Sequence, residues 1–153
     1  MSKLAFIFPG QGAQKAGMGK DFYENSEAAR SFFDQAQKIL DFDLKEMCFG
    51  EHEELNLTEY TQPCMVSVCL AIVQELKKRG INPDITAGLS LGEYAAVAAA
   101  GGMNELDAIK LVRRRGILMQ STVPAGEGAM AAVLGLDAKK IEEILESFEN
   151  IEN

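Results

Sequence analysis

The sequence contains few histidines, few cysteines and too little positive charge to balance its acidic residues. Its 153 residues include 15 Lys and Arg against 23 Asp and Glu, which gives a net charge of −8. Phosphate backbones and anionic headgroups repel such a chain, so we expect no nucleic-acid partner and no membrane-surface partner. No apolar run approaches the length of a membrane span, and the run at residues 4–8 is too short for a signal peptide.

Cysteine and histidine are too sparse to indicate a metal site. The three cysteines, Cys48, Cys64 and Cys69, lack metal-ligand spacing, which predicts reduced thiols and a cytoplasmic location. Cys64 and Cys69 lie in an apolar stretch and are expected to fill the core rather than to react. The single histidine, His52, stands among glutamates (EHEE), which favours a solvated surface residue over a catalytic base.

The most informative pattern is Gly-x-Ser-x-Gly around Ser90, at residues 88–92. The residues before it (PDITA) predict a short strand, and the Ala-rich residues 91–100 predict a helix. A strand, a sharp turn with serine at its tip and a helix together form the context of a nucleophile elbow. Ser90 would then stand above a helix N-terminus, whose free N–H groups stabilise an oxyanion. An ordinary glycine-rich turn is the alternative, because the pattern is common by chance.

The N-terminal residues predict a second loop of interest. Residues 3–8 (KLAFIF) form an apolar run that is typical of a central strand of a parallel sheet, buried on both faces. Residues 9–14 (PGQGAQ) then form a tight loop whose glycines let backbone N–H groups approach a ligand. It is not a P-loop, since no Gly-Lys-Ser/Thr follows, and a plain strand-to-helix turn is the alternative.

Three amphipathic helices are predicted from apolar periodicity. The first covers residues 26–40, the second runs from 61 to about 78, and the third from 104 to about 122. Ser26 is expected to cap the first helix and Asn104 to start the third, while Pro63 suits the first turn of the second. The acidic residues 41–57 between the first two helices predict short helical turns and loop.

The third helix carries three consecutive arginines that point in different directions. Its predicted apolar stripe consists of Ala108, Leu111, Val112, Leu118 and Met119. Arg115 falls in the middle of that stripe, whereas Arg113 and Arg114 fall outside it and are expected on the surface. An inward arginine needs an anionic partner, because an unpaired buried charge costs several kcal/mol in order of magnitude. The residues alone favour an internal carboxylate, and a substrate carboxylate is the alternative.

A loop at residues 124–128 (PAGEG) is the best domain boundary in the chain. After it, residues 129–134 (AMAAVL) predict a strand, and Asp137 is expected to cap a helix over about 138–148. Ile141, Ile144 and Leu145 are expected to face inward on that helix. This strand and helix are too small to fold alone.

Four linked motifs resemble the malonyl-CoA:acyl carrier protein transacylase family. They are residues 8–14 (FPGQGAQ), 61–63 (TQP), 88–94 (GLSLGEY) and 115–120 (RGILMQ), in the family's order and spacing. The resemblance covers nearly the whole chain and matches the N-terminal half of the family. It implies that residues 1–124 form the first part of an α/β-hydrolase-like core with a parallel sheet and a nucleophile elbow. Residues 125–153 would then begin a small ferredoxin-like α+β subdomain.

The resemblance also implies a role for each residue of the site. Ser90 would be the nucleophile that carries the acyl group as an ester between coenzyme A and acyl carrier protein. The backbone N–H groups of Gln11 and Leu91 would form the oxyanion hole. Arg115 would hold the malonyl carboxylate, which reverses the preference for an internal salt bridge, and Gln62 would line the same pocket. The expected partners are malonyl-CoA and acyl carrier protein in fatty-acid biosynthesis, with no metal or redox cofactor.

The acidic charge of such carrier proteins raises a question about docking, because this chain is acidic too. A carrier protein would need a local basic patch, for which Lys110, Arg113 and Arg114 are candidates. Ordinary solvated surface is the alternative for all three.

The chain departs from the family's pattern in two ways. The family usually has histidine just before the nucleophile, where this chain has Leu89. The family's general-base histidine lies in its C-terminal half, and His52 matches no family motif. A C-terminal segment or a second chain is therefore expected to complete the site. The chain alone is expected to be nearly inactive, since loss of a triad member costs about 10⁴-fold.

Two other functions stay open on the sequence. A serine hydrolase of the α/β-hydrolase or patatin-like type is supported by the elbow alone. A catalytically incompetent fragment is supported by the missing base.

Overall fold

A computed structural model describes residues 3–122 and 133–149 of the chain. The strands are β1 (Ala5–Phe8) and β2 (Ile85–Gly88). The helices are α1 (Lys20–Asn25), α2 (Glu27–Gln37), α3 (Leu44–Phe49), α4 (Thr58–Lys78), α5 (Gly92–Ala99), α6 (Glu105–Thr122) and α7 (Ala138–Glu149), with a 3-10 helix at Glu53–Asn56. Within the described ranges, no helix is both long enough and apolar enough to cross a membrane.

β1 and β2 pair in parallel, and this small sheet brings the two predicted loops together. Ala5 lies opposite Ile85 and Phe8 opposite Gly88, so both strands end at the same edge. The prediction that β1 is buried on both faces is wrong for the described part of the chain. Phe8 is buried, but Ile7 on the opposite face is 70% exposed. The reason is that the described helices pack against one face of the sheet only.

α4 is the central element of the core. It contacts α2, α5, α6 and the 3-10 helix, and nearly every residue from Thr61 to Val73 is buried. Beside it, the rings of Tyr23, Phe33 and Phe49 pack with centroids 5.4 to 5.8 Å apart. Because helices cover α4 on several sides, its apolar residues surround the axis instead of forming a narrow stripe.

The predicted helix caps are confirmed. The side chains of Ser26, Asn104 and Asp137 accept backbone N–H bonds from the first turns of α2, α6 and α7, at 2.9 to 3.2 Å. The Ser26 hydroxyl also donates to Glu75 of α4, which connects the two helices and lowers the pKa of that carboxyl. Local sequence therefore predicted where these three helices begin.

The start of α4 differs from the prediction. The helix begins at Thr58, nearly a full turn before residue 61, so Pro63 lies inside it. A proline there cannot donate to the carbonyl four residues earlier, which is that of Glu59. Arg113 Nη1 donates to this carbonyl at 2.8 Å instead. The sequence could not reveal this start, because the missing donor comes from another helix.

The predicted apolar face of α6 is only partly buried. Its buried residues are Ala108, Ile109, Val112 and Gly116. Leu111, Leu118 and Met119, which periodicity placed inward, are 42% to 54% exposed. The buried face is rotated away from the prediction because α6 packs mainly against α4.

The second predicted domain lies partly outside the described residues. The boundary after residue 124 and most of the predicted strand at 129–134 fall there, and residues 133–134 are not in a strand. α7 follows Asp137 as predicted. Ile144 and Leu145, which were expected to face inward, are 40% and 59% exposed, because the described elements make few contacts with α7.

Candidate active site

Ser90 stands at the turn between β2 and α5, at the sheet edge where β1 also ends. β2 ends at Gly88 and α5 begins at Gly92, so the predicted strand, turn and helix are confirmed. Ser90 has a φ of 49°, the only positive φ of a non-glycine residue in the described ranges. Such a backbone costs about 1–3 kcal/mol and persists where surrounding packing imposes it. The turn therefore has the strained geometry of a nucleophile elbow.

The glycines on either side of Ser90 are required by close backbone contacts. A Cβ added to Gly88 would lie 2.1 Å from the carbonyl carbon of Gly92. A Cβ added to Gly92 would lie 2.3 Å from the carbonyl oxygen of Phe8. Both distances are far below van der Waals contact. The turn is thus packed tightly between the start of α5 and the end of β1.

The glycine-rich loop after β1 lies against this turn. The Leu89 N–H donates to the Phe8 carbonyl at 3.1 Å, and a Cβ on Gly10 would lie 3.0 Å from the Leu89 carbonyl oxygen. The backbone N–H groups of Gln11 and Leu91 have no acceptor among the described residues. The structure therefore brings together the two loops that carry the predicted oxyanion-hole residues.

Arg115 reaches from α6 to the same turn. Its Nη2 lies 3.3 Å from Ser90 Oγ, and its guanidinium carbon lies 5.6 Å from the ring centroid of Tyr94. Arg115 is half-buried, and within residues 3–122 and 133–149 it has no Asp or Glu at salt-bridge distance. The internal carboxylate that the residues alone favoured is therefore not found there. The structure places an unneutralised cation beside the serine hydroxyl.

Arg113, two residues earlier, is held very differently. It forms paired hydrogen bonds of 2.9 Å with both carboxylate oxygens of Asp41 and a 3.1 Å bond with the Glu59 carboxylate. Its guanidinium lies 5.3 Å and 5.0 Å from the ring centroids of Phe42 and Tyr60. The side chain is only 12% exposed, so the prediction of a surface residue is wrong. The hydrogen bonds from Arg113 hold the pKa of Asp41 below its ordinary value.

These contacts reduce the predicted basic patch. Arg113 is neutralised by two carboxylates, and Lys110 Nζ lies 2.9 Å from an Asp107 carboxylate oxygen. Arg114 is exposed and has no ionic partner in the described part of the chain. Periodicity missed the difference between Arg113 and Arg114, because the carboxylate of Asp41 is distant in the sequence.

Gln62 is fully buried on α4, facing α6. Its Nε2 lies 3.3 Å from the Met119 sulfur, a weak acceptor, and its Oε1 has no partner among the described residues. A buried oxygen without a donor costs about 1–3 kcal/mol. The amide is therefore a group whose hydrogen bonding a ligand could complete.

The motif at residues 115–120 joins α6 to the start of α4. The helices cross closely, since a Cβ on Gly116 would lie 2.8 Å from the Thr58 carbonyl oxygen. Gln120 Oε1 accepts the Thr58 N–H at 3.0 Å, and the Gln11 side chain donates to Thr58 Oγ1 at 3.1 Å. Thr58 thus links the glycine-rich loop to both helices. Sequence reasoning missed it because these partners lie 62 and 47 residues away.

His52 is not part of this site. Its Nε2 lies 3.0 Å from Glu46 Oε1, and it borders a separate hollow with Gln14 and Asn56. Leu89, at the position of the family's usual histidine, is 72% exposed. In the described ranges, Ser90 has no histidine or carboxylate partner, so no general base is identified there.

The cysteines lie in the core. Cys64 is fully buried, and a hydrogen bond with Cys48 together with burial raises the pKa of its thiol. Burial raises the pKa of the Cys69 thiol to about 11. The prediction that Cys64 and Cys69 fill the core is confirmed. The described ranges contain no cluster of three or more His, Cys, Asp or Glu that could hold a metal ion.

The geometry at Ser90 is that of a known class of protein. Three features are typical of enzymes that hold an acyl group on serine: a serine on a strained strand-to-helix turn, two backbone N–H groups without an acceptor in the described ranges, and a nearby arginine. An arginine without a carboxylate partner in the described part of the chain is a group that can bind an anion.

Comparisons with known proteins agree with this class. The family model described as "Acyl transferase domain" matches residues 5–151. The chain is 50% identical over 145 residues to malonyl CoA-acyl carrier protein transacylase of Bacillus subtilis, covering 94% of this chain and 46% of that protein. The chain therefore belongs to the acyl transferase domain family. It spans about half the length of the curated relatives it matches.

Solved structures of similar proteins share the fold. The malonyl CoA-acyl carrier protein transacylase of Clostridium perfringens matches with a TM-score of 0.84 and 44% identity, over 95% of this chain and 46% of that one. A complex of a type II polyketide synthase acyl-carrier protein with its malonyl-transacylase matches with a TM-score of 0.85 and 39% identity. That match covers 95% of this chain and 48% of the other.

Proposed function

We propose that this chain supplies the nucleophile and the acyl-binding residues of a malonyltransferase. The enzyme would move a malonyl group from malonyl-CoA to the phosphopantetheine thiol of acyl carrier protein, in fatty-acid biosynthesis. The observation that carries the proposal is the position of Arg115, with Nη2 3.3 Å from Ser90 Oγ and no carboxylate partner among the described residues.

Arg115 suits the free carboxylate of a malonyl ester. An acyl group on Ser90 Oγ would extend only a few bonds before its terminal carboxylate, and Arg115 lies within that reach. A guanidinium can bind such a carboxylate through two parallel hydrogen bonds. In a half-buried site this pairing offsets the cost of keeping the cation partly out of water.

The reaction would proceed in two matched steps. Ser90 Oγ attacks the thioester carbonyl and its proton passes to a general base. The new C–O bond forms, the C–S bond breaks, and the base protonates the leaving sulfur to release coenzyme A as its thiol. The thiol of the carrier protein then gives its proton to the base and attacks the ester carbonyl. The new C–S bond forms, the C–O bond to Ser90 breaks, and the base returns the proton to Ser90 Oγ. The backbone N–H groups of Gln11 and Leu91 would stabilise the oxyanion in both steps, since neither has an acceptor among the described residues.

Gln62 would line the acyl pocket beside Arg115. It lies where α4 packs against α6, in contact with Met119 four residues after Arg115. Its side-chain oxygen, which has no donor in the part of the chain that the structure describes, would be satisfied by a bound ligand or water.

The remaining parts of the proposal rest on the similarity to whole transacylases. The core would be α/β-hydrolase-like over residues 1–124, and residues 125–153 would begin a ferredoxin-like subdomain. The general base would come from a C-terminal segment or a second chain, and no metal or redox cofactor would be needed. Among the predicted docking residues, Arg114 is the one left without an ionic partner in the described ranges.

The test uses a fusion protein in which residues 1–149 of this chain are continued by the remaining part of the Bacillus subtilis relative. After incubation with malonyl-CoA, we expect peptide mass spectrometry to find malonate on Ser90, and none in Ser90→Ala. Arg115→Ala should lower malonyl transfer about a hundredfold while sparing acetyl transfer, because it removes the charged partner of the carboxylate.

Arg114→Ala is the matched control, because it removes an adjacent, exposed arginine and should leave selectivity unchanged. A fusion protein that turns over a neutral ester rapidly but forms no malonyl ester would instead be a serine hydrolase. Equal loss of malonyl and acetyl transfer in Arg115→Ala would refute the carboxylate role.

A further inference from the structure

Tyr94 lies under the guanidinium of Arg115, one turn after Ser90 on the same strand-to-helix motif. The guanidinium carbon is 5.6 Å from the ring centroid, within the range of a cation–π interaction. Tyr94 is half-buried and packs against the hydrophobic core, and this packing holds its ring in place. Within the described ranges its hydroxyl makes no hydrogen bond, which leaves the ring as its means of contact with Arg115.

Arg113 shows why this contact matters. Carboxylates of Asp41 and Glu59 and rings of Phe42 and Tyr60 all fix its guanidinium. The described contacts of Arg115 are a single ring and the Ser90 hydroxyl. An arginine side chain carries about 2 kcal/mol of rotamer entropy, so a lightly held guanidinium would sample many positions.

A ring holds a cation in a way that a carboxylate cannot. An internal carboxylate would neutralise Arg115 and occupy its N–H donors, which would then be unavailable to a ligand. A ring attracts the positive charge through its face and leaves the donors at the edge of the guanidinium free. The arrangement keeps Arg115 both oriented and available.

We propose that Tyr94 is a positioning residue that holds Arg115 in the orientation needed to bind the substrate carboxylate. This inference rests on the proposed function and assigns to α5, the helix that contains Tyr94, a part in acyl selectivity. It requires the aromatic face of Tyr94 and not its hydroxyl.

The kinetic test replaces the ring in the fusion protein. Tyr94→Leu should raise the KM for malonyl-CoA about five- to tenfold with kcat changed less than about twofold, the size expected from loss of a partly desolvated cation–π contact. Acetyl-CoA kinetics should not change, because an acetyl group has no carboxylate. Tyr94→Phe keeps the ring and should restore the parent KM.

Tyr60→Leu provides the matched control. It also removes a ring from beneath an arginine, but that arginine is Arg113, which two carboxylates hold. We expect it to lower stability without changing malonyl selectivity. A similar selectivity loss in Tyr60→Leu and Tyr94→Leu would show a general structural effect and overturn the assignment.

A spectroscopic test needs only the 153-residue chain. With ¹⁵N-labelled arginine, the side-chain N–H resonance of Arg115, identified by its loss in Arg115→Ala, should be shifted by the ring current of Tyr94. The shift should disappear in Tyr94→Leu and remain in Tyr94→Phe. An unchanged resonance in Tyr94→Leu would overturn the proposal.

The two tests separate the inference from the function on which it rests. If the unsubstituted fusion protein transfers no malonyl group, the proposed function fails whatever the resonance shows. If it transfers malonyl and Tyr94→Leu matches the parent in KM, the proposed function stands and the role of Tyr94 is refuted.

Discussion

At the scale of single residues, Gly88 and Gly92 decide whether the turn at Ser90 can form. Their Cα atoms lie where any side chain would overlap backbone atoms of α5 or β1. Backbone atoms cannot move aside as the end of a flexible side chain can. Ser90, with its positive φ, thus lies between two positions at which the backbone packs too closely for any side chain.

Adding one methyl group at Gly88 tests this explanation. We expect Gly88→Ala to lower the free energy of unfolding by about 3 kcal/mol, because its Cβ would overlap the Gly92 carbonyl. Urea unfolding followed by circular dichroism measures the loss.

Gly80→Ala is the control for that substitution. Gly80 has a φ of 75° but nothing within 4 Å of its added Cβ, so only the backbone cost of about 1 kcal/mol is expected. Gly88 is not among the glycines with a positive φ, so a loss at Gly88 no larger than that at Gly80 would contradict the overlap explanation.

At the scale of elements, Arg113 joins α6 to α4 at the point where Pro63 interrupts the helix. It donates to the Glu59 carbonyl, which receives no hydrogen bond from Pro63 because proline has no backbone N–H. It also binds the carboxylate of Asp41, which follows α2 in the chain. One side chain thus completes the backbone hydrogen bonding of α4 and connects three segments of the chain. This explains why a proline is tolerated within the central helix.

Substitution of Arg113 and of its neighbour Arg114 tests the structural role of Arg113. We expect Arg113→Met to lower the free energy of unfolding by about 3 kcal/mol, because two carboxylates and one carbonyl lose their partner. Arg114→Met, on the exposed side, should change it by about 0.5 kcal/mol or less. Similar values for both in urea unfolding would contradict the assignment.

The Arg113–Asp41 pair also predicts a pH dependence. The pKa of Asp41 is lowered from 3.8 in the folded state, chiefly by the hydrogen bond from Arg113. A lowered carboxyl pKa means that the unfolded chain binds its proton first as the pH falls. The stabilisation that the ionised Asp41 carboxylate contributes is therefore fully present above pH 3.8. It is lost as the pH falls through the lower pKa that Asp41 has in the folded state.

Asp41→Asn should thus be less stable than the parent at neutral pH, by about 1 kcal/mol or less because Asp41 is 66% exposed. The difference in unfolding free energy should shrink as the pH falls below 3.8. If the difference in unfolding free energy between Asp41→Asn and the parent does not change as the pH is lowered, the charge of Asp41 is not what stabilises the fold.

At the scale of the whole molecule, a large apolar surface is left uncovered by the described elements. Ile7 is 70% exposed and Ile85 54%, on one face of the parallel sheet. An apolar hollow of about 420 Å³, lined by residues of β1 and α4, lies beside the sheet. Parallel sheets are normally covered on both faces, and such surfaces mark interfaces. The relatives are about twice as long as this chain, and we expect the part of them that this chain does not match to cover this surface.

We therefore expect the separately expressed second half of the Bacillus subtilis relative to bind this chain. Binding should reduce the fluorescence of a dye that reports exposed apolar surface, and the pair should co-elute in size-exclusion chromatography. Ile7→Lys should weaken the association about tenfold or more, because it places a charge on the exposed face.

A charge reversal away from the sheet, Lys38→Glu, is the control and should leave binding unchanged. Dye fluorescence that persists after the second half is added would contradict the assignment of this surface. So would equal binding of the Ile7→Lys variant and the parent.

The sequence alone determined the local features of this protein. Ser26, Asn104 and Asp137 cap their helices as predicted, and the glycines around Ser90 predicted the strand, turn and helix. These features depend on hydrogen bonds and steric limits within a few residues. A short stretch of sequence is enough to specify such features, because they need no partner from a distant part of the chain.

Only the tertiary structure decided how the arginines and Gln62 are used. Periodicity placed Arg113 outside and expected an internal partner for Arg115, but the fold gave Arg113 its carboxylates and left Arg115 beside Ser90 and Tyr94. The start of α4 likewise depended on Arg113 and on Gln120 of α6. These outcomes depend on groups brought together by helix packing across dozens of residues, and a one-dimensional pattern does not specify that geometry.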